Sequence, residues 1–259
     1  MDIQYIKERI ALNPFASSFH HFASIDSTNN KAKELAESGF PDCTVVIADS
    51  QTSGRGRMKR QWYSPKGEGI YISLILRPSL PSSKYYFFTM LPCISAVEAI
   101  SECTGLKCGV KWPNDIFIAG KKTGGILTEA SLKYDKIDFI ICGIGINVNI
   151  EHFEGQFLHP PTSLFLETKE KTAIEALIAS FINSFYNHYK LLLSKNGEDE
   201  VRSIYRTYSL CLGKKVRLID GEKIIEGKAV DIDEQGYLLV KCQDENILKF
   251  STGDLFILD

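Results

Sequence analysis

The stretch GVKWPNDIFIAGKKTGGILTEASLKYDKIDFIICGIGINVN, Gly109–Asn149, decides the fold. Four apolar, β-branched runs (GVKWP, DIFIA, GGILTEASL and DFIICGIGINVN) are separated by turn signals at AGKKTGG and KYDK. Connections so short suit antiparallel neighbours. Upstream, CTVVIADSQ (Cys43–Gln51) and GIYISLILRP (Gly69–Pro78) read as two further buried strands. Helices surround them. IDSTNNKAKELAESGFPD (Ile25–Asp42) has polar caps at Ser27 or Thr28 and stops at Gly39 and Pro41. YYFFTMLPCISAVEAISECTG (Tyr85–Gly105) is a buried helix in which Pro92 predicts a kink or an early break. TAIEALIASFINSFYNHYKLLL (Thr172–Leu193) is a long amphipathic helix, followed by a shorter one around EDEVRSIYRTY (Glu198–Tyr208). Helices mixed with antiparallel strands make the class α+β. The last fifty residues change character, to four or five short strands joined by tight polar turns. We therefore expect two units, residues 1–209 and a small β-barrel over residues 210–259.

Composition narrows the function. The chain has 259 residues, 44% of them hydrophobic, and a formal net charge of −2. That balance argues against a general nucleic-acid or anionic-membrane binder, which carries a basic excess over a whole face. No apolar run nears the length that spans a bilayer, and the N-terminus is no secretory signal. Seven scattered cysteines without a CxxC pair read as small buried residues in a reducing cytoplasm. The five histidines show no metal-ligand spacing, and His20-His21 reads as structural.

Positive charge is instead gathered locally, in SQTSGRGRMKRQWYSP (Ser50–Pro65) between two strands. Gly54 and Gly56 permit tight turns and close approach of amide N–H groups to an anion. Arg55, Arg57 and Arg60 supply planar forks suited to phosphate or carboxylate, and Trp62 a flat face for stacking. A solvated basic turn is the plainer alternative. The loop is neither a Walker loop nor a dinucleotide fingerprint. Lys111 lies at a strand end before Trp112-Pro113, where Pro113 biases Trp112 towards extended geometry, and Asn114 and Asp115 follow. An ordinary turn with a surface cation is the bland reading there. In GIGINVN, Gly143 and Gly145 mark either close approach of backbone to a ligand or sheet packing against a bulky neighbour.

Taken in order, STNNKAKELA, QTSGRGR…W.SPKGEGIYISLILRP, KWPNDI, GGILTE and GIGINVN resemble the biotin protein ligases, strongly over about residues 20–150. The C-terminal strands also fit that family, whose fold is a mixed, largely antiparallel sheet flanked by helices plus a small SH3-like barrel. The resemblance implies two steps. Biotin carboxylate attacks the α-phosphate of ATP, releasing pyrophosphate and forming biotinyl-5′-adenylate. A lysine of a biotin carboxyl carrier protein or domain then attacks the activated acyl group. It further implies residue roles. Lys111, with Arg55 and Arg57, serves catalysis, Lys111 touching both biotin carboxylate and α-phosphate. Ser27, Thr28, Asn29 and Gln51 would meet the polar edge of biotin, with Gly54, Arg55, Gly56, Arg57, Lys111 and Gly125 completing its site. Arg55, Arg57, Arg60, Trp62, Lys111, Asn114 and Asn147 would hold ATP and the adenylate, Trp62 stacking on adenine. Mg²⁺ would accompany ATP, with Asp115 as a contact.

Lids over the adenylate are expected in the arginine loop and in IEHFEGQFLHPPTSL (Ile150–Leu164). Two departures stand out. Lys59 occupies a loop position where the family commonly has glycine. Only about fifteen residues precede the first motif, so we expect a ligase without the DNA-binding domain some relatives carry, acting in the cytoplasm as monomer or homodimer without nucleic acid or membrane. The rival readings are a lipoate or octanoate protein ligase and a non-catalytic biotin sensor. KWPND with the full GRGR favours biotin over the first, and intact Lys111 and arginines disfavour the second.

Overall fold

The apolar runs of Gly109–Asn149 form one half of a seven-stranded sheet in the computed structural model, which describes residues 1–258. The strands are β1 (Phe19–Phe22), β2 (Thr44–Ala48), β3 (Gly69–Leu76), β4 (Cys108–Lys111), β5 (Asp115–Ile118), β6 (Lys121–Lys133) and β7 (Lys136–Asn147). Their spatial order is β1-β2-β3-β7-β6-β5-β4. β1 and β2 run parallel and the remaining pairs antiparallel. Every residue of β3 is buried, because helices cover both faces of the sheet there. On one face lie α3 (Phe87–Thr104), α5 (Ile174–Leu192) and α6 (Gly197–Tyr208), which share one core with α1 (Ile3–Arg9). On the other lies α2 (Thr28–Glu37), whose Ala32 and Ala36 pack on Val46, Ile75, Phe139 and Ile141. The short α4 (Leu164–Thr168) follows β7. No helix among the described residues is long and apolar enough to cross a membrane.

A second, antiparallel sheet holds β8 (Lys215–Asp220), β9 (Lys223–Ile232), β10 (Leu238–Lys241), β11 (Ile247–Phe250) and β12 (Asp254–Ile257), in the order β11-β10-β9-β8-β12. Its buried Val216, Leu218, Ile232, Leu238, Val240 and Leu255 are continuous with the main core. The α+β class and the small C-terminal β-unit are as the sequence predicts.

Four local expectations need correcting. Pro92 neither breaks nor ends α3. Proline cannot donate to the carbonyl four residues back, at Phe88. Thr128 Oγ1 and Cys142 Sγ donate to that oxygen instead, at 3.1 and 3.3 Å. The turn in AGKKTGG is also tighter than its composition implies. Ala119 and Gly120 alone adopt left-handed φ, 48° and 78°, so Lys121–Thr123 already belong to β6. Ser27 occupies the N-cap position of α2 but its side chain makes no cap bond. The Gln51 side chain takes that place, its Oε1 accepting from the N–H and Oγ1 of Thr28 at 2.9 and 3.1 Å. Finally, neither α1 nor β1 is among the elements predicted from the sequence, although Asp2 caps α1, its side chain accepting from the Tyr5 N–H. α1 has seven residues, too few to be stable alone, and depends on packing through the buried Ile6.

Candidate active site

Three parts of the chain, together with the start of α2 and the segment 151–161, line a cavity of about 340 Å³ on the first sheet. The first is the arginine loop, a narrow hairpin closed by Trp62 N–H donating to the Gly54 carbonyl (2.8 Å) and Gly56 N–H to that of Arg60 (2.7 Å). Its tip is turned by Met58 and Lys59, both left-handed, with φ 54° and 60°. The glycines, expected to make the turn, do not: neither Gly54 nor Gly56 has a positive φ. Gly54 serves close packing. A Cβ there would lie 2.7–2.8 Å from the Trp62 carbonyl, Gln51 Nε2 and Ser64 Oγ.

The second segment is the sheet itself. β4 ends at Lys111, and Trp112–Asn114 turn the chain into β5, with the Trp112–Pro113 peptide cis. Lys111 is only 4% exposed. Its Nζ donates to the Leu255 carbonyl at 2.6 Å and lies 2.7 Å from His159 Nε2. Burial lowers its pKa to about 8 against the upward pull of Asp115. A buried ammonium without a carboxylate in direct contact is poised for an incoming anion. Asn114 Nδ2 donates to the Ile126 carbonyl (2.5 Å), so its amide oxygen faces Arg57, whose Nη1 donates to it at 2.9 Å. Asn147 Nδ2 donates to the Thr162 carbonyl at 3.0 Å.

Gly125 and Gly145 form the cavity floor, but the group resting on them is Trp62. A Cβ on Gly145 would lie 2.4 Å from the indole Cε2 and Nε1, and one on Gly125 3.3 Å from Cζ3. The indole Nε1 is buried without a hydrogen-bond partner. A Cβ on Gly143 would meet Asn29 Oδ1 at 2.0 Å. Gly143 and Gly145 thus make room for the Asn29 and Trp62 side chains, and both also line the cavity. Asn29 is fixed by Ser73 Oγ donating to its Oδ1 (2.7 Å), and its Nδ2 donates to Glu129 Oε2 (2.7 Å).

The third segment is the turn before β12 in the second sheet. Asp254 pairs with Arg60 (Nη1 and Nη2 at 2.8 and 2.5 Å), which holds the Asp254 carboxyl below its ordinary pKa. Thr252 Oγ1 accepts from Arg57. Arg55 pairs with Glu129 at 3.0 Å. Burial lowers the Arg57 pKa, and among its partners no carboxylate is in direct contact.

The cavity thus gathers Ser27, Thr28, Asn29, Gln51, Arg55, Gly56, Arg57, Arg60, Trp62, Lys111, Asn114, Asp115, Gly125 and Asn147. Gly54 alone of the sequence candidates lies behind its wall. Reading the sequence missed Lys122, Glu129, His159 and Asp254. Lys122 pairs with Asp115 at 2.6 Å and stands 5.6 Å from the Trp62 ring centroid. The doublet Lys121-Lys122 reads as turn, Glu129 and His159 lie within the GGILTE motif and the expected lid without a role of their own, and Asp254 lies in an ordinary strand.

A magnesium ion finds a spare donor set. No group of three His, Cys, Asp or Glu among the described residues could hold one. Asp115 is a single carboxylate, already paired. That fits Mg²⁺ held mainly by substrate phosphates and water, with one carboxylate at most from the protein.

Residues 21–147 match the model of the biotin/lipoate A/B protein ligase family, and residues 211–258 that of the biotin protein ligase C-terminal domain. The bifunctional ligase/repressor BirA of Bacillus spizizenii is 39% identical over 233 residues, 89% of this chain and 71% of the relative. The biotin–[acetyl-CoA-carboxylase] ligase of Mycobacterium tuberculosis is 28% identical over 239 residues, 90% of this chain and 86% of the relative. A solved biotin protein ligase from Aquifex aeolicus, in complex with biotin and ATP, superposes with a TM-score of 0.77 at 29% identity, covering 93% of this chain and 99% of that one. In sequence, in both of its sheets and in the order of its motifs, the chain belongs to the biotin protein ligase family.

Proposed function

We propose that this protein is a biotin protein ligase that forms biotinyl-5′-AMP from biotin and ATP and transfers the biotinyl group to a lysine of a biotin carboxyl carrier protein. The observation that carries this reading is the convergence of Lys111, Arg55, Arg57 and Arg60 on one cavity. The first step brings a carboxylate up to a polyanion, and a site that already concentrates positive charge, with Lys111 buried, offsets that repulsion. A carboxylate oxygen of biotin forms the new bond to the α-phosphorus as the bond to the pyrophosphate oxygen breaks. Lys111 sits where one ammonium can face both the attacking carboxylate and the α-phosphate. This is positioning and charge stabilisation rather than covalent catalysis. Arg57, half-buried and without a carboxylate partner, is available to phosphate, whereas Arg55 and Arg60 must first leave Glu129 and Asp254. Mg²⁺, when bound with ATP, supplies further neutralisation of phosphate charge, with Asp115 the residue to hold it.

We assign the polar edge of biotin to Ser27, Thr28 and Asn29 at the start of α2 and to Gln51, which reaches that start from the loop after β2. Trp62, with its unpartnered indole N–H, is the stacking face for adenine. In the second step the acceptor amine attacks the acyl carbon and AMP leaves. The segment 151–161, whose Phe153, Phe157 and Leu158 line the cavity, keeps water from the adenylate. We place the domain boundary between residues 209 and 210, the second unit lending Thr252, Asp254 and the Leu255 carbonyl to the site. The setting we propose is cytoplasmic, with carrier proteins as partners.

The test is pyrophosphate release from MgATP in the presence of biotin, with lipoate in a parallel arm, followed by transfer of label to a purified carrier domain. Release with biotin and background with lipoate is expected. Faster release with lipoate would replace biotin as the substrate, and background release with both would leave a binding protein.

A further inference from the structure

His159 belongs to none of the motifs that mark the family, yet it makes the closest side-chain contact to the buried cation of the site. Its Nε2 is 2.7 Å from Lys111 Nζ. The two side chains share one aromatic enclosure. Phe117 lies 5.5 Å from the His159 ring and 4.9 Å from Nζ, and Phe256 lies 5.1 Å from the ring and 5.8 Å from Nζ. The backbone holds the imidazole there. Lys122 N–H donates to the Pro160 carbonyl (2.8 Å) and Thr162 N–H to that of Lys122 (2.9 Å), pinning both sides of Pro161 to β6. Two prolines directly after His159 stiffen the same stretch.

An ammonium has three N–H donors and no acceptor. The Leu255 carbonyl takes one at 2.6 Å. His159 therefore has to be the acceptor in its own contact, with a neutral ring and its proton on Nδ1. Its surroundings favour that form: burial and the Lys111 charge, with Lys122 nearby, lower its pKa to about 4 against the weaker pull of Asp115 and Asp254.

We propose that His159 is a positioning residue for Lys111: Nε2 of the neutral imidazole and the Leu255 carbonyl each accept one hydrogen bond from the ammonium, and so direct its third N–H into the cavity. The catalytic consequence rests on the ligase reading given above. The contact itself does not. It also joins the segment 151–161 to the reacting centre, so the stretch that excludes water is the stretch that aims the lysine.

The test compares the full-length chain with His159→Leu, which fills the space but accepts nothing, and His159→Gln, whose amide oxygen can reach the position of Nε2. In ligand-free protein in mildly acidic buffer, the ¹⁵Nζ–¹H signal of Lys111 should be visible in wild type and in H159Q, and lost to exchange in H159L. Pyrophosphate release in H159L should fall about ten- to a hundredfold in kcat, the size of a lost hydrogen bond to a charged group, with a smaller change in the biotin KM. H159Q should recover most of that loss. A leucine variant with the wild-type signal and turnover overturns the proposal, as does a folded H159Q no better than H159L. Wild-type protein that releases no pyrophosphate at all overturns the ligase reading instead, and the Lys111 signal then decides the His159 contact alone.

Discussion

The two walls of the cavity are built on different terms. On the wall made by the first sheet, Lys111, Asn114, Gly125, Gly145 and Asn147 sit on or beside strands whose ladders are regular at the site except for one bulge between β5 and β6, beside Lys122. Their positions follow from register; Gly125, Gly145 and Asn147 lie on strands paired on both sides, and Lys111 on the edge strand β4, paired with β5. On the wall made by the second sheet, Thr252, Asp254 and the Leu255 carbonyl come from one turn and the first residues of β12. That wall contributes no cation and carries the counter-charge and acceptors for three of them: Arg57, Arg60 and Lys111. On the function proposed above, the first wall and the arginine loop supply positive charge for substrates. The second keeps that charge satisfied until they arrive. Substitutions on the first should therefore be severe and those on the second graded.

The largest effect is expected at Lys111. Replacing it with alanine should lower pyrophosphate release about 10²–10³-fold, as for loss of one preorganised donor in a catalytic site. Biotin binding, measured by calorimetry, should fall much less, because the ureido and ring contacts remain. Near-wild-type turnover in K111A would dissolve the distinction between the walls. On the sheet wall itself, Gly143→Ala puts a Cβ 2.0 Å from Asn29 Oδ1 and 2.7 Å from its Cγ, inside a buried hydrogen-bonded cluster. Overpacking of this kind costs about 1–3 kcal/mol. Chemical denaturation should show that loss in G143A, and the double variant with Asn29→Ala should regain most of it. A G143A chain with the wild-type midpoint would contradict the packing account of this glycine.

Part of this design is visible in the residues alone. Antiparallel pairing from Gly109 to Asn149 is legible because each turn carries its own chemistry, such as Tyr134-Asp135, which both adopt left-handed φ. The convergence of Lys111 with the arginine loop is legible only through the ordered motifs, since nothing local in either segment points at the other. What stays hidden has physical reasons. Phe88 O tolerates Pro92 because Thr128 and Cys142 come from distant strands, and no helical pattern encodes them. Gly143 and Gly145 leave room for Asn29 and Trp62, contacts made across more than about eighty residues of chain, and a sequence shows the gap without its occupant. Asp254 and the Leu255 carbonyl act as single groups in an ordinary strand, one of them backbone, so residue type says little about them.

The second wall should make itself felt through pH. Burial sets the Lys111 pKa at about 8, and Asp254 is among the charges that hold it up. A lowered lysine pKa means the ammonium is present below that value and lost above it. Since kcat/KM reports the free enzyme, adenylation should decline as pH rises through about 8. Transfer has the opposite tendency, because the acceptor amine must lose its proton and an ordinary lysine does so near pH 10.4. Asp254→Asn removes one supporting charge, so the declining limb should move to lower pH. Near neutrality its effect should stay within about fivefold, because the Arg60–Asp254 pair is partly exposed and such pairs contribute little. A limb that stays in place would separate this turn from Lys111.

The smallest effect concerns the tip of the arginine loop. Lys59 stands where related loops commonly have glycine, and its φ of 60° gives the reason. A left-handed conformation costs a residue with a Cβ about 1–2 kcal/mol and costs glycine almost nothing, while glycine adds about 0.5–1 kcal/mol of backbone entropy lost on folding. The difference favours Lys59→Gly by about 0.5–1 kcal/mol in the folded loop. The Lys59 side chain is exposed and lines no part of the cavity, so its charge is remote from the phosphates. K59G should accordingly unfold at slightly higher denaturant and keep the wild-type KM for ATP. If KM rose several-fold while stability did not change, the lysine would be acting through its charge, and the tip of the hairpin would count with the first wall.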